Sequence, residues 1–249
     1  KEMRVLNVAE KPSVARGIAS ILLPGKAPRG GTRPPVFELP GVHVPGMGNC
    51  EMVVTSVVGH LTEMDFTQAY RSWHSCAPEE LFRAPIYKFV PDRLKDVEAS
   101  LKNEAKRAQT LILWLDCDRE GENIAIEVVD ACKRVNGGLN VLRAHFSAVT
   151  HQDVMRALAT LTPPDMAKSE AVEARREIDL RIGAAFTRFQ TLELRDLYAE
   201  LRGKGVLSYG PCQFPTLGFV VERFNRREAF VAEDFWKIVV RHSQPARGA

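Results

Sequence analysis

Leu111-Ile112-Leu113-Trp114-Leu115-Asp116-Cys117-Asp118-Arg119-Glu120-Gly121-Glu122 sets the reading of the chain. Five apolar residues in a row suit a strand buried on both faces, as in a parallel sheet. Acids follow without a spacer. In open α/β sheets the carboxyl edge of the strands is where ligands bind. Asp116, Asp118 and Glu120 alternate, so in an extended segment their side chains share one side. Three like charges that close raise one another's pKa unless a cation neutralises them. All-oxygen ligands suit a hard ion such as Mg²⁺, which keeps waters and needs one or two carboxylates. Glu120 and Glu122 also fit the first turn of a helix, where the dipole favours acids with no metal.

Working outward, three further β-branched runs appear: Val5–Ala9, Met52–Val58 and Val141–Phe146. Helical patterns lie between or after them: Pro12–Leu23, Arg93–Arg107, Glu120–Arg134 and Thr150–Leu161. This alternation predicts an α/β fold with a mostly parallel sheet flanked by helices. The Gly- and Pro-rich stretch from Pro24 to Pro45 reads as a loop or irregular hairpin. Val5–Ala9 ends in Glu10-Lys11-Pro12-Ser13. If the strands are parallel, Glu10 reaches the same edge as the acids, to join the metal cluster or move a proton. Lys11 is a point charge suited to a phosphate. Pro12 fits a first helical turn. The same tetrapeptide also reads as a plain capping turn with a surface lysine.

After Pro163-Pro164 the pattern changes. Lys168 to Arg202 predicts one or two long helices, broken by Gly203-Lys204-Gly205, and Phe214 to Phe224 predicts another. A division near residue 162 therefore separates an α/β part, 1–162, from a mainly helical part, 163–249. Arg181, Arg188, Arg195 and Arg202 recur every seven residues and form one helical stripe. Interleaved Glu177, Asp179, Glu193, Asp196 and Glu200 favour a solvated, salt-bridged face over a phosphate track. In Ser208-Tyr209-Gly210-Pro211-Cys212-Gln213 a polar Gly-Pro turn runs into an apolar helix. Free N–H groups there suit an anion, and the segment equally suits an ordinary loop with an N-cap.

Composition bounds these readings. The chain has 249 residues, 45% apolar and 26% charged, enough for one large or two smaller cores. No apolar run reaches membrane-spanning length, and the N-terminus lacks a secretory pattern. Net charge is only +3, although residues 1–35 carry seven Lys/Arg against Glu2 and Glu10. Cysteines at 50, 76, 117, 132 and 212 are odd in number and form no CxxC pair. That predicts free thiols in a reducing compartment, not disulfides or a zinc site. The tail from Ser243 to Ala249 reads as unfinished.

Together the motifs carry a family resemblance over about residues 3–240. Glu10-Lys11-Pro12-Ser13, Thr55-Ser56-Val57-Val58-Gly59-His60-Leu61 and Asp116-Cys117-Asp118-Arg119-Glu120-Gly121-Glu122 resemble the Toprim domain of type IA topoisomerases. Glu177 through Thr191 and Ser208 through Gly218 are similar to the helical domain that follows in eukaryotic topoisomerase III, and Cys212 through Phe224 is nearer the alpha form. The resemblance implies a Toprim domain over 1–162 and a helical DNA-binding region over 163–249. It implies ATP-independent strand passage through a 5′-phosphotyrosyl link, relaxing negative supercoils and unlinking recombination intermediates. Glu10 would assist proton transfer and Lys11 would stabilise phosphoryl charge. Asp116, Asp118 and Glu120, with Glu10, would hold Mg²⁺. Ser13, His60, Arg175 and Ser208, Tyr209, Gly210, Pro211, Cys212 and Gln213 would hold single-stranded DNA. A nuclear setting, a RecQ-type helicase and an OB-fold partner are implied in the same way.

Two departures matter. The family tyrosine sits in a Ser-Tyr-x-Arg-Thr type motif, whereas Tyr70, Tyr87, Tyr198 and Tyr209 fall in other contexts. The chain is therefore expected to be an N-terminal fragment that does not cleave DNA alone. Bacterial relatives often carry a basic residue where Pro211 stands. Rival readings are a haloacid-dehalogenase-type phosphatase, a Toprim primase or nuclease, and a non-catalytic binding module. In the phosphatase, Gly-Thr would follow the acids, where this chain has Arg119-Glu120-Gly121.

Overall fold

The computed structural model describes residues 2–25, 27–29, 33–203 and 205–243. Its centre is a five-stranded sheet in the order β2 (Phe37–Val44), β3 (Gly48–Ser56), β1 (Met3–Ala9), β6 (Thr110–Trp114), β7 (Asn140–Arg143). The last four run parallel to one another, and β2 pairs antiparallel with β3. β1 lies in the middle because both of its faces are apolar. Leu6 and Val8 face one core with Val53, Leu111 and Leu113, covered by α2 (Lys95–Ala105) and α3 (Arg119–Lys133). Val5 and Ala9 face the other with Val54, Ile112 and Trp114, covered by α1 (Pro12–Leu22) and α4 (His151–Ala159). Alternation along each strand thus feeds two cores. Buried Asn7 of β1 is satisfied: its Oδ1 accepts from Trp114 Nε1 at 3.0 Å, and its Nδ2 donates to the Val5 and Val53 carbonyls.

Between β3 and α2 the chain makes an excursion. β4 (Glu63–Phe66) and β5 (Ile86–Phe89) pair as a two-stranded sheet. Phe66, Leu81 and Ala84 form a third cluster with Leu180, Ala184 and Ala185 of α5 (Met166–Leu197). The excursion therefore packs against the helical part, across the expected division at 162. At 32 residues, α5 is about 48 Å long. α6 (Gln213–Glu228) buries no residue. No helix of the described residues is long and apolar enough to cross a membrane.

Pro24–Pro45, read as a loop or irregular hairpin, contains β2, whose Phe37, Leu39, Val42 and Val44 are buried and which forms with β3 a hairpin made irregular by a bulge between Leu39 and Val42. Other sequence expectations are corrected. β3 and β7 stop at Ser56 and Arg143, short of the apolar runs that predicted them. β4 and β5 were absent from the reading because four-residue strands carry little periodicity. Lys204 and residues 244–249 of the unfinished tail fall outside the described residues.

The arginine stripe is only in part the solvated, salt-bridged face expected, with Arg202 exposed. Arg188 is buried and donates to the carbonyls of Tyr70, Arg71 and Ser72. Arg181 pairs with Glu177 and donates to the carbonyls of Leu81 and Ala84. Arg195 and Arg202 donate to carbonyls at Gly205, and at Arg195 and Asp196. Guanidinium groups cap the backbone of irregular segments here, because buried carbonyls need donors and loops supply few.

Candidate active site at the sheet edge

β1 and β6 are neighbouring parallel strands with Ala9 opposite Trp114. The residues that follow them therefore emerge side by side. The Glu10 N–H donates to the Trp114 carbonyl at 3.3 Å, and the Asp116 N–H approaches the Glu10 carboxylate at 3.5 Å. Lys11 Nζ lies 3.2 Å from Glu10 Oε1. The hydrogen bond and charge of Glu10, with the charges of Asp116 and Asp118, hold the Lys11 ammonium above its usual range. Glu10 pairs with Lys11 directly, and Asp116 and Asp118 add to the negative charge around it. The loop after β3 closes the edge: the Val57 N–H donates to the Ala9 carbonyl and the Gly59 N–H to the Glu10 carbonyl. Gly59 has φ +89°, a conformation that suits glycine alone.

The acids beyond β6 do not stay extended. Asp118 is the N-cap of α3, and its Oδ1 accepts the Gly121 N–H at 2.7 Å. From Arg119 onward the chain is helical, so Glu120 leaves the extended alternation expected of the three acids. Glu120 Oε2 lies 3.1 Å from His60 Nε2, and its other oxygen pairs with Arg175 of α5. His60 Nδ1 lies 3.1 Å from Glu127. Glu127 also accepts from the N–H groups of Leu61 and Thr62 and from Arg176.

Two groupings therefore adjoin on α3. One is Glu10, Lys11, Asp116 and Asp118; the other is His60, Glu120, Glu127, Arg175 and Arg176. Ser13 is exposed in the first turn of α1, and among the described residues no side-chain hydrogen bond joins it to either. Glu127 and Arg176 were not singled out from sequence, although a charged residue inside an apolar helix face was a usable signal. Arg143 was missed likewise. It is wholly buried at the end of β7, pairs with Glu122 at 2.9 Å, and donates to the carbonyls of Leu113, Ala144 and Asp116.

The second grouping predicts a pH dependence. The hydrogen bond to Glu127, opposed in part by burial, raises the His60 pKa above the ordinary imidazole range. Burial resists ionisation of Glu127, but bonds from His60, Thr62 and Arg176 prevail and hold its carboxyl low. A raised folded pKa means that protonated His60 contributes stability below its unfolded value, and that this is lost as pH rises through the folded value. The melting temperature is expected to fall over that window, and His60→Gln is expected to flatten the fall in thermal denaturation across pH. An unchanged profile in the variant contradicts the pairing.

The Ser208–Gln213 segment lies elsewhere on α5. The Tyr209 N–H donates to Thr187 Oγ1 at 2.9 Å and the Leu207 N–H to Thr191 Oγ1 at 3.1 Å. Tyr209 stacks between Phe186 and Phe214, at centroid distances of 4.8 and 4.7 Å. Gly210 and Pro211 are half-buried, while Ser208, Cys212 and Gln213 are exposed. The start of α6 has no side-chain cap, which leaves N–H groups available to an anion. Thr187 and Arg175 are twelve residues apart on one helix, about 18 Å along its axis. No hydrogen bond or ion pair among the described residues joins Ser208–Gln213 to the acids.

Among the described residues, no three His, Cys, Asp or Glu side chains are gathered into a metal-holding group. The donor chemistry nevertheless fits a hard cation: Asp116 and Asp118 are exposed, all their donors are oxygens, and the Asp116 N–H adjoins the Glu10 carboxylate. Two carboxylates with waters suffice for Mg²⁺.

Comparison with known proteins agrees with this architecture. A family model described as the Toprim domain matches residues 5–149, and one described as DNA topoisomerase matches residues 163–248. The chain is 51% identical to DNA topoisomerase 3-alpha of Arabidopsis thaliana, over 96% of this chain and 26% of that protein. It is 48% identical to DNA topoisomerase 3-alpha of Homo sapiens, over 96% of this chain and 24% of that protein. It thus spans about a quarter of the length of these curated relatives. Full-length topoisomerase I of Thermotoga maritima superposes with a TM-score of 0.55 at 25% identity, over 91% of this chain and 31% of that one.

Proposed function

The chain belongs to the Toprim family, and from that premise we propose that it supplies the acidic half of a type IA DNA topoisomerase site, of the topoisomerase III class, together with a surface for single-stranded DNA. The observation that carries this reading is the delivery of Glu10 and Asp116 by adjacent parallel strand ends to one pocket around Lys11.

In the proposed reaction a tyrosine oxygen forms a bond to a DNA phosphorus while the bond from phosphorus to the 3′ oxygen breaks. The phosphoester is stored, so resealing by the reverse attack needs no ATP. Glu10 delivers a proton to the leaving 3′ oxygen and accepts it back on resealing. Lys11 stabilises charge on the phosphoryl oxygens. Asp116 and Asp118 would hold Mg²⁺, which supplies Lewis-acid stabilisation of phosphate charge. Arg143 and the Asp118 cap hold those acids in place through the Asp116 carbonyl and the first turn of α3. Tyr209 is packed between two phenylalanines and Tyr87 against Phe89, so the nucleophile is assigned to another polypeptide segment. Relaxation of negative supercoils, unlinking of recombination intermediates, a nuclear setting, and a RecQ-type helicase and an OB-fold protein as partners rest on the resemblance of the sequence motifs to topoisomerase III.

The test mixes this chain with a separately produced tyrosine-bearing topoisomerase domain and labelled single-stranded DNA. A covalent 5′-phosphotyrosyl adduct is expected, and Glu10→Gln is expected to slow its formation by about 10²-fold, the usual scale of general acid catalysis. The packing of Tyr209 favours a second reading, a binding module without chemistry. No adduct under conditions where the intact parent cleaves decides for that reading.

A further inference from the structure

Arg175 has two calls on its charge. In the structure its guanidinium pairs with Glu120 and lies 3.9 Å from Asp179. Its side chain is 60% exposed at the face of α5, so it is free to turn toward solvent or a strand of DNA. Glu120 is likewise committed. Its two oxygens go to Arg175 and to His60, while Asp118, two residues earlier, caps α3 and Asp116, four residues earlier, meets the Glu10 carboxylate through its N–H. Glu120 is thus spoken for by cations on α5 and on the loop after β3.

We propose that the Arg175–Glu120 pair is an exchange contact that couples the two ligands of the site: a DNA phosphate takes Arg175 from Glu120, and Glu120 is then released toward the divalent cation beside Asp116 and Asp118. The inference rests on the proposed function for its ligands but assigns a role that the function does not require. Without DNA, Arg175 holds Glu120 away from the acids. With DNA, Arg175 finds a phosphate, with which a guanidinium makes bidentate bonds at least as good as those to a carboxylate. By linkage the exchange runs both ways, so a cation that attracts Glu120 frees Arg175 for DNA. His60 keeps Glu120 from drifting meanwhile, because its other nitrogen is anchored on buried Glu127. The loop that carries His60 is itself tied to the β1 end through Val57 and Gly59. Lys11 is no substitute for Arg175 here, since it pairs with Glu10.

A double-mutant cycle read by fluorescence anisotropy tests this on the 249-residue chain, with a labelled oligothymidylate in EDTA as the probe. Glu120→Gln is expected to tighten DNA binding about three-fold, the scale of an exposed ion pair, because it frees Arg175. In an Arg175→Ala background the same change is expected to do nothing, since there is no guanidinium to free. If Glu120→Gln tightens binding equally in both backgrounds, it acts only by removing a negative charge, and the exchange is overturned. Calorimetric titration of Mg²⁺ without DNA is the second arm: Arg175→Ala is expected to tighten the ion about three-fold, and Arg175→Lys to restore the weaker value. Mg²⁺ binding that is unaltered by Arg175→Ala overturns the exchange while leaving the proposed function intact. Absence of both Mg²⁺ and oligonucleotide binding to the unaltered chain removes the proposed function and the exchange together.

Discussion

Arg143→Leu is expected to cost the folded chain about 3–5 kcal/mol, the scale for breaking a buried ion pair on one side. Arg143 and Glu122 are 0% and 2% exposed at the side chain. Leucine fills much of the space but leaves the Glu122 carboxylate without its partner in a low-dielectric interior. Three carbonyls, those of Leu113, Ala144 and Asp116, lose a donor as well. Burial makes the loss large, whereas the exposed pairs on the surface of α5 are each worth a few tenths of a kcal/mol. The check is urea unfolding followed by circular dichroism, with an unchanged slope and a lowered midpoint. Arg143→Leu combined with Glu122→Leu is expected to recover part of the loss, because the stranded charge is gone. The Asp165 N–H, which donates to Glu122, and the three carbonyls that Arg143 served still lack those partners, at about 1 kcal/mol each. A single variant within about 1 kcal/mol of the parent, well short of the roughly 3 kcal/mol lower bound, contradicts this account of how the edge is held.

Gly121→Ala is the second large effect. A Cβ built at Gly121 falls 2.0 Å from the Asp116 carbonyl oxygen and 2.9 Å from its carbon. Those are backbone atoms, so no rotamer change relieves the contact. Asp116 must move off the first turn of α3, and Arg143 holds its carbonyl at 2.7 Å from the other side. Overpacking of this kind costs about 3 kcal/mol at the upper end, against about 1 kcal/mol gained from alanine's helix propensity. A net loss of about 2 kcal/mol is expected, with weaker metal binding because Asp116 is displaced. Gly218→Ala in α6 is the control: nothing lies within 4 Å of its Cβ, so only the propensity gain remains and stability is expected to rise or hold. Equal midpoints for Gly121→Ala and the parent in thermal denaturation contradict the close approach.

How much of this was legible in the sequence depends on how local the cause is. Leu111–Leu115 announced a buried strand because five apolar residues in a row leave little alternative, and Glu10 and Asp116 could be placed at one edge once the strands were taken as parallel. Glu120 could not be placed. Its direction turns on whether the residue before it is extended or already helical, and Asp118 decided that by capping α3. Arg188 and Arg143 misled for a different reason. Spacing shows which residues share a face, but not whether the neighbours across that face offer carboxylates, phosphates or bare carbonyls. The carbonyls that Arg188 satisfies come from residues 70–72, more than 110 positions away, and no local pattern reports such a meeting. Glu127 hid for the same reason, its partners being spread over the loop after β3 and α5.

The central claim is that two neighbouring strand ends build one cation pocket from Glu10, Asp116 and Asp118. Its most direct measurement is Mg²⁺ calorimetry on the parent chain and on Asp116→Asn and Asp118→Asn; asparagine retains an acceptor for the α3 cap, so a change in binding is not a change in fold. The account predicts saturable binding to the parent that weakens at least about ten-fold in each variant, as expected when a ligating carboxylate loses its charge. Saturable binding of undiminished affinity in both variants, with their melting temperatures unchanged, contradicts it.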